Sequence, residues 1–203
     1  MDYIMERETE PSCDYSPRLI ELTSYNVSDA VIEYLVNRVI AVGDAGLKRD
    51  KHAPAGRVFV RTEREKFERM VERVIKGLKI RMPVVLIILA YLDRADNDRF
   101  GLRWKHRKYA DDFLFLGVVL AAHKYSNEHT YSSEHWGRIF CRKYNKSSLA
   151  ELELKFLKSI KWNLFVREED VLVHYKPLMS LLRPIHGFDD ALPFPEHDQE
   201  DWI

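Results

Sequence analysis

Apolar side chains recur along most of the chain at the spacing of amphipathic helices. From Ala30 to Val42 they return every three or four residues, which predicts a helix that Asn26 or Ser28 caps and that Gly43 and Gly46 end. The same spacing predicts further helices at Thr62 to about Leu78, Val84 to about Arg94, Tyr109 to about Tyr125, Ser132 or Ser133 to Phe140, Ser148 to Ile160, and Glu168 to Leu182. The alternation of a strand appears only weakly, at Val58–Val60. The pattern therefore predicts an all-α fold.

Local start signals agree with these helices. Thr62 with Glu65, and Ser148 with Glu151, have the spacing of a capping box. Pro83 suits the first turn of a helix, where its missing N–H costs no hydrogen bond.

The helix predicted at 109–125 is apolar on every side, as expected for a helix in the middle of a bundle. Gly117 lies in its interior, and we interpret this glycine as the point where another backbone approaches closely. The pattern becomes polar abruptly at His123 and Lys124.

Both ends of the chain lack this periodicity. Residues 1–24 form a polar stretch, and we expect a flexible lead-in there. Residues 185–203 carry acids, two prolines and neither Lys nor Arg, so we expect a flexible acidic tail.

Composition narrows the class of protein. With 46% hydrophobic residues and 32 basic against 32 acidic side chains, the chain can form a core and is not globally disordered. Zero net charge argues against a nucleic-acid binder that relies on bulk positive charge. Cys13 and Cys141 give no disulfide framework, and the opening Met1–Glu10 is acidic rather than a signal peptide. We therefore expect an intracellular globular protein, cytoplasmic or nuclear, without a membrane partner.

Candidate catalytic chemistry is sparse. The chain contains no phosphate-binding loop, nucleophile elbow or zinc-protease motif. His129 and His135 lie near Glu128 and Glu134, but Ser and Tyr fill the interval, so we interpret the segment as a polar loop and expect no metal or other cofactor. We interpret His123 as a packing residue that forms a hydrogen bond.

The segment Arg99–Lys108 is basic and contains one Trp. Two interpretations remain open for it, an anion-binding patch and a solvated loop between helices.

Lys124 and Glu153 have complementary places on two predicted helices. Lys124 ends the buried helix and Glu153 lies near the start of another, and helix dipoles favour each charge there. The pair suits the binding of another chain's backbone groups. On the residues alone, however, a helix cap beside a solvated glutamate is the simpler interpretation.

Several motifs in order resemble the cyclin family, and most closely the fungal Pcl-type cyclins. Met82–Arg94, which ends in YLDR, resembles the second helix of a cyclin box, and Phe115–Tyr125 resembles its central helix. Thr130–Trp136 is similar to the S-x-x-H-W stretch of Pcl-type cyclins, and Leu152–Leu164 resembles the fifth helix and its exit. The resemblance covers about residues 62–166.

The resemblance implies a single five-helix cyclin box at 62–166. An extra N-terminal helix and loop at 25–61 would precede it, and a C-terminal helix at 167–184 and the acidic tail would follow. It implies that the chain is not an enzyme but a regulatory subunit, which forms a heterodimer with a cyclin-dependent kinase, activates it and helps direct it to substrates. Direct contact with nucleic acid is not expected.

The resemblance also implies roles for individual residues. It makes Lys124 and Glu153 the kinase-binding residues, which reverses the simpler interpretation above. It makes Asp93 a structural acid of the box, paired with an arginine of its first helix: Arg64, Arg69 or Arg73.

The sequence departs from the family in places. His123 replaces the usual small residue before the lysine. Val71–Ile75 occupies the region that cell-cycle cyclins use for substrate docking, so docking of that type is not expected. No Met-Gly opens the chain, so myristoylation is not expected either.

Two other classes of function remain as alternatives. A cyclin-box adaptor of the transcription machinery would carry two boxes, a basic surface and a zinc ribbon, whereas this chain has one box and no CxxC pair. A metal-dependent hydrolase would use His123, His129, His135 and Glu128.

Overall fold

The computed structural model describes residues 15–48, 61–97, 110–128, 131–140 and 146–183. Over these residues the secondary structure is helical throughout, which confirms the all-α prediction. The helices are α1 (Pro17–Ser24), α2 (Asp29–Lys48), α3 (Arg61–Gly77), α4 (Met82–Asn97), α5 (Ala110–Ser126), α6 (Ser133–Ile139), α7 (Lys146–Ser159), α8 (Glu168–Leu172) and α9 (Tyr175–Leu182).

Helix α5 is the centre of the bundle. Its residues from Leu114 to Ala122 are all buried, and it packs against α2, α3, α4 and α7. An apolar helix is stable in water only if neighbours cover all its faces, so the uniform hydrophobicity of α5 fixes its central place.

Most of the predicted helix starts are present. The Ser28 hydroxyl accepts a hydrogen bond from the Val31 amide at 3.4 Å, and the Ser132 hydroxyl accepts one from His135 at 3.2 Å. Pro83 lies in the first turn of α4 as predicted. Helices α3 and α7 instead begin at Arg61 and Lys146, one or two residues before the predicted capping boxes.

The predicted lead-in is wrong for residues 17–24, which form α1. Ser16 caps this helix, Pro17 occupies its first turn, and Leu22 is fully buried. A helix this short carries too few apolar positions to show periodicity.

The predicted end of α2 at Gly43 is also wrong, because the helix continues to Lys48. Gly43 leaves room for the Asp111 carboxylate of α5: a Cβ atom added at Gly43 would lie 2.3 Å from Asp111 Oδ1. This glycine permits close packing rather than terminating the helix.

The single helix predicted at 168–182 is divided into α8 and α9 by a turn at Val173–His174. The first and last parts of the described chain meet beside this turn. Glu21 of α1 accepts hydrogen bonds from the Tyr175 hydroxyl at 2.6 Å and from Arg183. The weak strand at Val58–Val60 and the tail at 185–203 lie outside the described residues.

Candidate functional site

The C-terminal end of α5 is where the buried core reaches the surface. Ala122 and His123 are buried, whereas the Lys124 side chain is 41% exposed. The last turn is closed by side chains, because Ser126 Oγ donates to the Ala122 carbonyl and Asn127 Nδ2 donates to that of His123, each at 2.7 Å. The His123 carbonyl is one of the last four of α5, which have no amide partner within the helix, and the two bonds order the helix end from which Lys124 projects.

Helix α7 is seated closely against α5 at Gly117. A Cβ atom added there would lie 3.0 Å from the Phe156 Cβ atom and 3.2 Å from the Leu152 carbonyl oxygen. This contact confirms the close approach predicted for Gly117, and it sets the register of the two helices. Glu153 therefore lies beside the end of α5.

Lys124 and Glu153, both predicted to bind a partner, meet in the free protein. Lys124 Nζ donates to Glu153 Oε2 at 2.5 Å, and the glutamate side chain is 17% exposed. An ion pair this close to solvent contributes only about 0.2–1 kcal/mol to folding. The pair is therefore a weak tether between α5 and α7, with both charges at the surface edge.

Apolar side chains lie next to these charges in the sequence. Tyr125 is 46% exposed and Leu154 is 41% exposed, although both are large and hydrophobic. Tyr125 also contacts the buried ring of Tyr91 edge to face, with centroids 6.1 Å apart. Partly exposed apolar groups beside a charged pair are typical of a surface that a protein partner covers.

The YLDR segment at the end of α4 braces the C-terminal part of the chain. The Tyr91 hydroxyl donates to the Leu164 carbonyl at 3.0 Å. Arg94 donates to the carbonyls of Asn163 at 2.5 Å and Phe165 at 2.6 Å, and to the Asp170 carboxylate at 2.9 Å. These bonds hold the segment that follows α7.

Asp93, in the same segment, pairs with Arg38 of α2. The sequence-based candidates from α3 were wrong: Arg64, for example, pairs with Glu68 of its own helix at 2.7 Å. Nothing in the sequence shows which arginine pairs with Asp93, because Arg38 and Asp93 lie in helices far apart in the chain.

His174 is a further partner of Asp93 that the sequence did not reveal. Its Nε2 lies 3.0 Å from the second carboxylate oxygen, and its Nδ1 lies 2.9 Å from the Tyr34 hydroxyl. Burial alone would raise the pKa of Asp93, but hydrogen bonding to His174 and the charge of Arg38 outweigh it and hold the pKa below its ordinary value. Asp93 is therefore kept ionised by contacts from two other parts of the chain.

The histidine-rich segment after α5 forms an aromatic cluster. The His123 ring lies 5.1 Å from that of Tyr131 and 5.2 Å from that of Trp136, and Tyr131 stacks on His135 at 4.2 Å. Within the described ranges no three His, Cys, Asp or Glu side chains are grouped as a metal site requires. His129, both cysteines and the basic segment 99–108 lie outside those ranges.

None of the helices in the described part of the chain is both long and apolar enough to cross a membrane.

Comparison with known proteins agrees with the resemblance noted in the sequence. No protein-family model matches the chain. It is 22% identical over 186 residues to PHO85 cyclin-1 of Saccharomyces cerevisiae, an alignment that covers 84% of this chain and 61% of that protein. The chain thus spans about three fifths of the length of the curated relative that it matches. The suspected relationship to Pcl-type cyclins is supported by this match and by the all-helical fold.

Proposed function

We propose that this chain is the regulatory subunit of a cyclin-dependent protein kinase. The similarity to a cyclin supports this general role, and the helical bundle is the architecture that the role requires. The finer proposal is that the chain binds and activates a kinase of the PHO85 type and helps direct it to substrates, in the cytoplasm or nucleus.

The observation that carries the proposal is the Lys124–Glu153 pair. The cyclin resemblance implies that these two residues match the positions that grip the kinase, and they lie 2.5 Å from each other at the surface edge of α5 and α7. The Lys124 side chain is 41% exposed, so solvent screens the ion pair and limits its contribution to folding. Both are thus available to exchange their mutual contact for backbone donors and acceptors of a kinase.

The proposed mechanism is stabilisation of one kinase conformation rather than chemistry by this chain. A kinase is active when its Lys–Glu ion pair and its metal-binding aspartate are aligned, and the position of its regulatory helix controls that alignment. A partner that binds the aligned state more tightly shifts the equilibrium toward it by its difference in affinity. The surface edge that contains Lys124 and Glu153 would supply that difference.

Asp93 has a structural role in this proposal. Its contacts to Arg38 and His174 join α2, α4 and the turn between α8 and α9. This arrangement steadies the bundle behind the kinase-binding edge without requiring Asp93 to touch the partner.

The test begins with copurification of the chain from its native host and identification of the kinase bound to it. The kinase is then titrated with the parent chain, Lys124→Ala and Glu153→Ala, and each variant is also melted. Truncating one side of a desolvated charged contact typically costs about 2–5 kcal/mol. At about 1.4 kcal/mol per tenfold, the expected loss of affinity is about one to three orders of magnitude.

Glu151→Ala is the matched control, because Glu151 lies on the same helix and forms an ion pair with Lys155 at 2.5 Å. It should bind the kinase as the parent does. If both site variants melt normally and bind as tightly as the control, the assignment of Lys124 and Glu153 is wrong. Kinase activity should appear only in the complex, and ATP turnover by the chain alone would contradict the regulatory role.

A further inference from the structure

A cleft of about 850 Å³ opens beside the aromatic cluster. It lies between the α1–α2 connection, the α3–α4 connection and the C-terminal end of α5. Ligand-binding clefts in proteins typically have volumes of about 300–1,000 Å³, so this one is large enough to hold a side chain together with part of a peptide.

The cleft has a positive lining. Lys79 and Arg81 of the α3–α4 connection both line it, and neither side chain forms an ion pair or a hydrogen bond with another described residue. The lining contains no carboxylate among its described residues. A concave surface with unpaired cations and no acid attracts an anionic group.

His123 supplies an unsatisfied polar group in the same cleft. The residue is 5% exposed and lines the cleft, and its Nδ1 is buried without a hydrogen-bond partner among the described residues. Burial lowers the pKa of His123, which favours the neutral ring. A neutral imidazole has one N–H that can lie on Nδ1, where no described residue accepts its hydrogen bond.

The helix ends around the cleft do not oppose an anion. Helix α4 begins at Met82 and has no acidic residue in its first turn, so its positive end is uncompensated by its own side chains. The ends of α1 and α5 present carbonyl groups, but Ser24 and Ser126 already donate to the Glu21 and Ala122 carbonyls at 2.7 Å. Partial charges that are already capped are outweighed by the full charges of two cations.

We propose that this cleft binds a phosphoryl group carried by a serine or threonine side chain of a partner peptide. A phosphoryl group presents three acceptor oxygens and more than one negative charge, which suits two cations and a buried imidazole better than a single carboxylate does. Neither Lys124 nor Glu153 lines the cleft, although His123 and Ser126 on either side of Lys124 do, so the cleft adjoins the proposed kinase contact.

The test uses the full-length chain labelled with ¹⁵N. Backbone amide shifts are followed while three probes are added: inorganic phosphate, a blocked Ala-phosphoserine-Ala peptide, and the same peptide with unmodified serine. We expect phosphate and the phosphopeptide to shift the amides of residues 78–84 and 123–127, and the phosphopeptide to bind about tenfold or more tightly than phosphate. The unmodified peptide should cause no shift there.

The variant that tests the cations is Lys79→Gln combined with Arg81→Gln. Both residues are exposed and have no side-chain partner in the described part of the chain, so the double variant should melt with the parent but bind the phosphopeptide about tenfold or more weakly. Lys176→Gln, an exposed lysine of α9 outside the cleft, should bind as the parent does.

Two results would overturn the proposal. Shifts that map to other cationic surfaces of the unaltered chain would show that the cleft is not the site. A phosphopeptide that binds no more tightly than inorganic phosphate would show that the anion is not borne by a peptide. Neither result depends on a kinase, so this proposal stands or fails independently of the function proposed above.

Discussion

The guanidinium of Arg38 binds the carboxylate of Asp93, and this ion pair joins the second helix to the end of the fourth. The remaining carboxylate oxygen faces the buried His174 at 3.0 Å. If Nε2 of this histidine carries the proton, Nδ1 accepts the hydrogen bond from Tyr34 at 2.9 Å. One carboxylate thus organises contacts from residues that lie before, within and after the predicted cyclin box.

These contacts make the free energy of unfolding fall as the pH is lowered. Folding lowers the pKa of Asp93 from its ordinary value of 3.8, so the folded protein binds this proton less readily than the unfolded chain does. The contribution of Asp93 is complete above the ordinary pKa and is lost as the pH falls through the lower, folded value. We expect Asp93→Asn to cost about 1.5–3 kcal/mol at neutral pH and to lose less further stability on acidification than the parent does.

The measurement is urea unfolding of parent and variant from neutral pH down to about pH 2, well below the ordinary pKa of 3.8. Glu33→Gln is the control, because Glu33 is an exposed carboxylate of α2. Its curve should run parallel to that of the parent. Parallel curves for Asp93→Asn would show that the ion pair contributes nothing to acid sensitivity.

Arg94 should contribute as much to the free energy of unfolding as Asp93 does, for a different reason. Its side chain is 15% exposed, and its guanidinium donates to two carbonyl groups and one carboxylate that follow α7. We expect Arg94→Gln to cost about 1.5–3 kcal/mol in urea unfolding, because two carbonyl groups and one carboxylate lose a charged donor. Arg94→Lys should recover little of this loss, since an ammonium group does not reproduce the planar fork. Full recovery with lysine would show that charge alone is sufficient.

Two glycines provide a paired test of packing. Gly117→Ala should lower the free energy of unfolding by about 1 kcal/mol, because the gain in helix propensity is smaller than the cost of moving α7 away from the new methyl group. Gly77→Ala should instead raise it by up to about 1 kcal/mol, because its methyl group would lie at an ordinary distance of 3.5 Å from Ile139. Thermal and urea unfolding of both variants check the opposite signs, and stabilisation by Gly117→Ala would show that α7 shifts freely.

The sequence predicts the central helices well because their signals are local. The apolar run of α5, the first-turn proline of α4 and the cap at Ser132 each lie within a few residues of the structure that they specify. The prediction failed where tertiary contacts decide. Glycine is typical of a helix end, yet α2 continues past Gly43 because this glycine makes room for Asp111 from another helix.

The candidate site shows the same limit. Helix-end placement and the cyclin resemblance single out Lys124 and Glu153, but their direct contact depends on the packing of α7 at Gly117. The partners of Asp93 were missed because Arg38 and His174 lie in helices and turns outside the predicted box. Their sequence signal is only a basic side chain among the apolar positions of one helix and a histidine between apolar segments.

The sharpest test of the proposed kinase-binding edge reverses the charges of Lys124 and Glu153. The double variant Lys124→Glu with Glu153→Lys keeps an ion pair between α5 and α7, so we expect its thermal midpoint to stay close to that of the parent. In a complex with the kinase, however, each reversed charge would face kinase groups that suit the original charge. Like-charge contacts are strongly unfavourable at an interface. We expect the double variant to bind the kinase about tenfold to a thousandfold more weakly than the parent.

The single variants complete this cycle and separate the two roles. Lys124→Glu alone places two carboxylates together and should lower the thermal midpoint, and adding Glu153→Lys should restore it. If the pair serves only to join α5 to α7, restoring the midpoint also restores kinase affinity. If it contacts the kinase, the midpoint recovers and the affinity does not. We expect the second result, measured by calorimetric titration beside melting curves, because the pair is too exposed to be needed for folding and lies beside apolar side chains that are still uncovered.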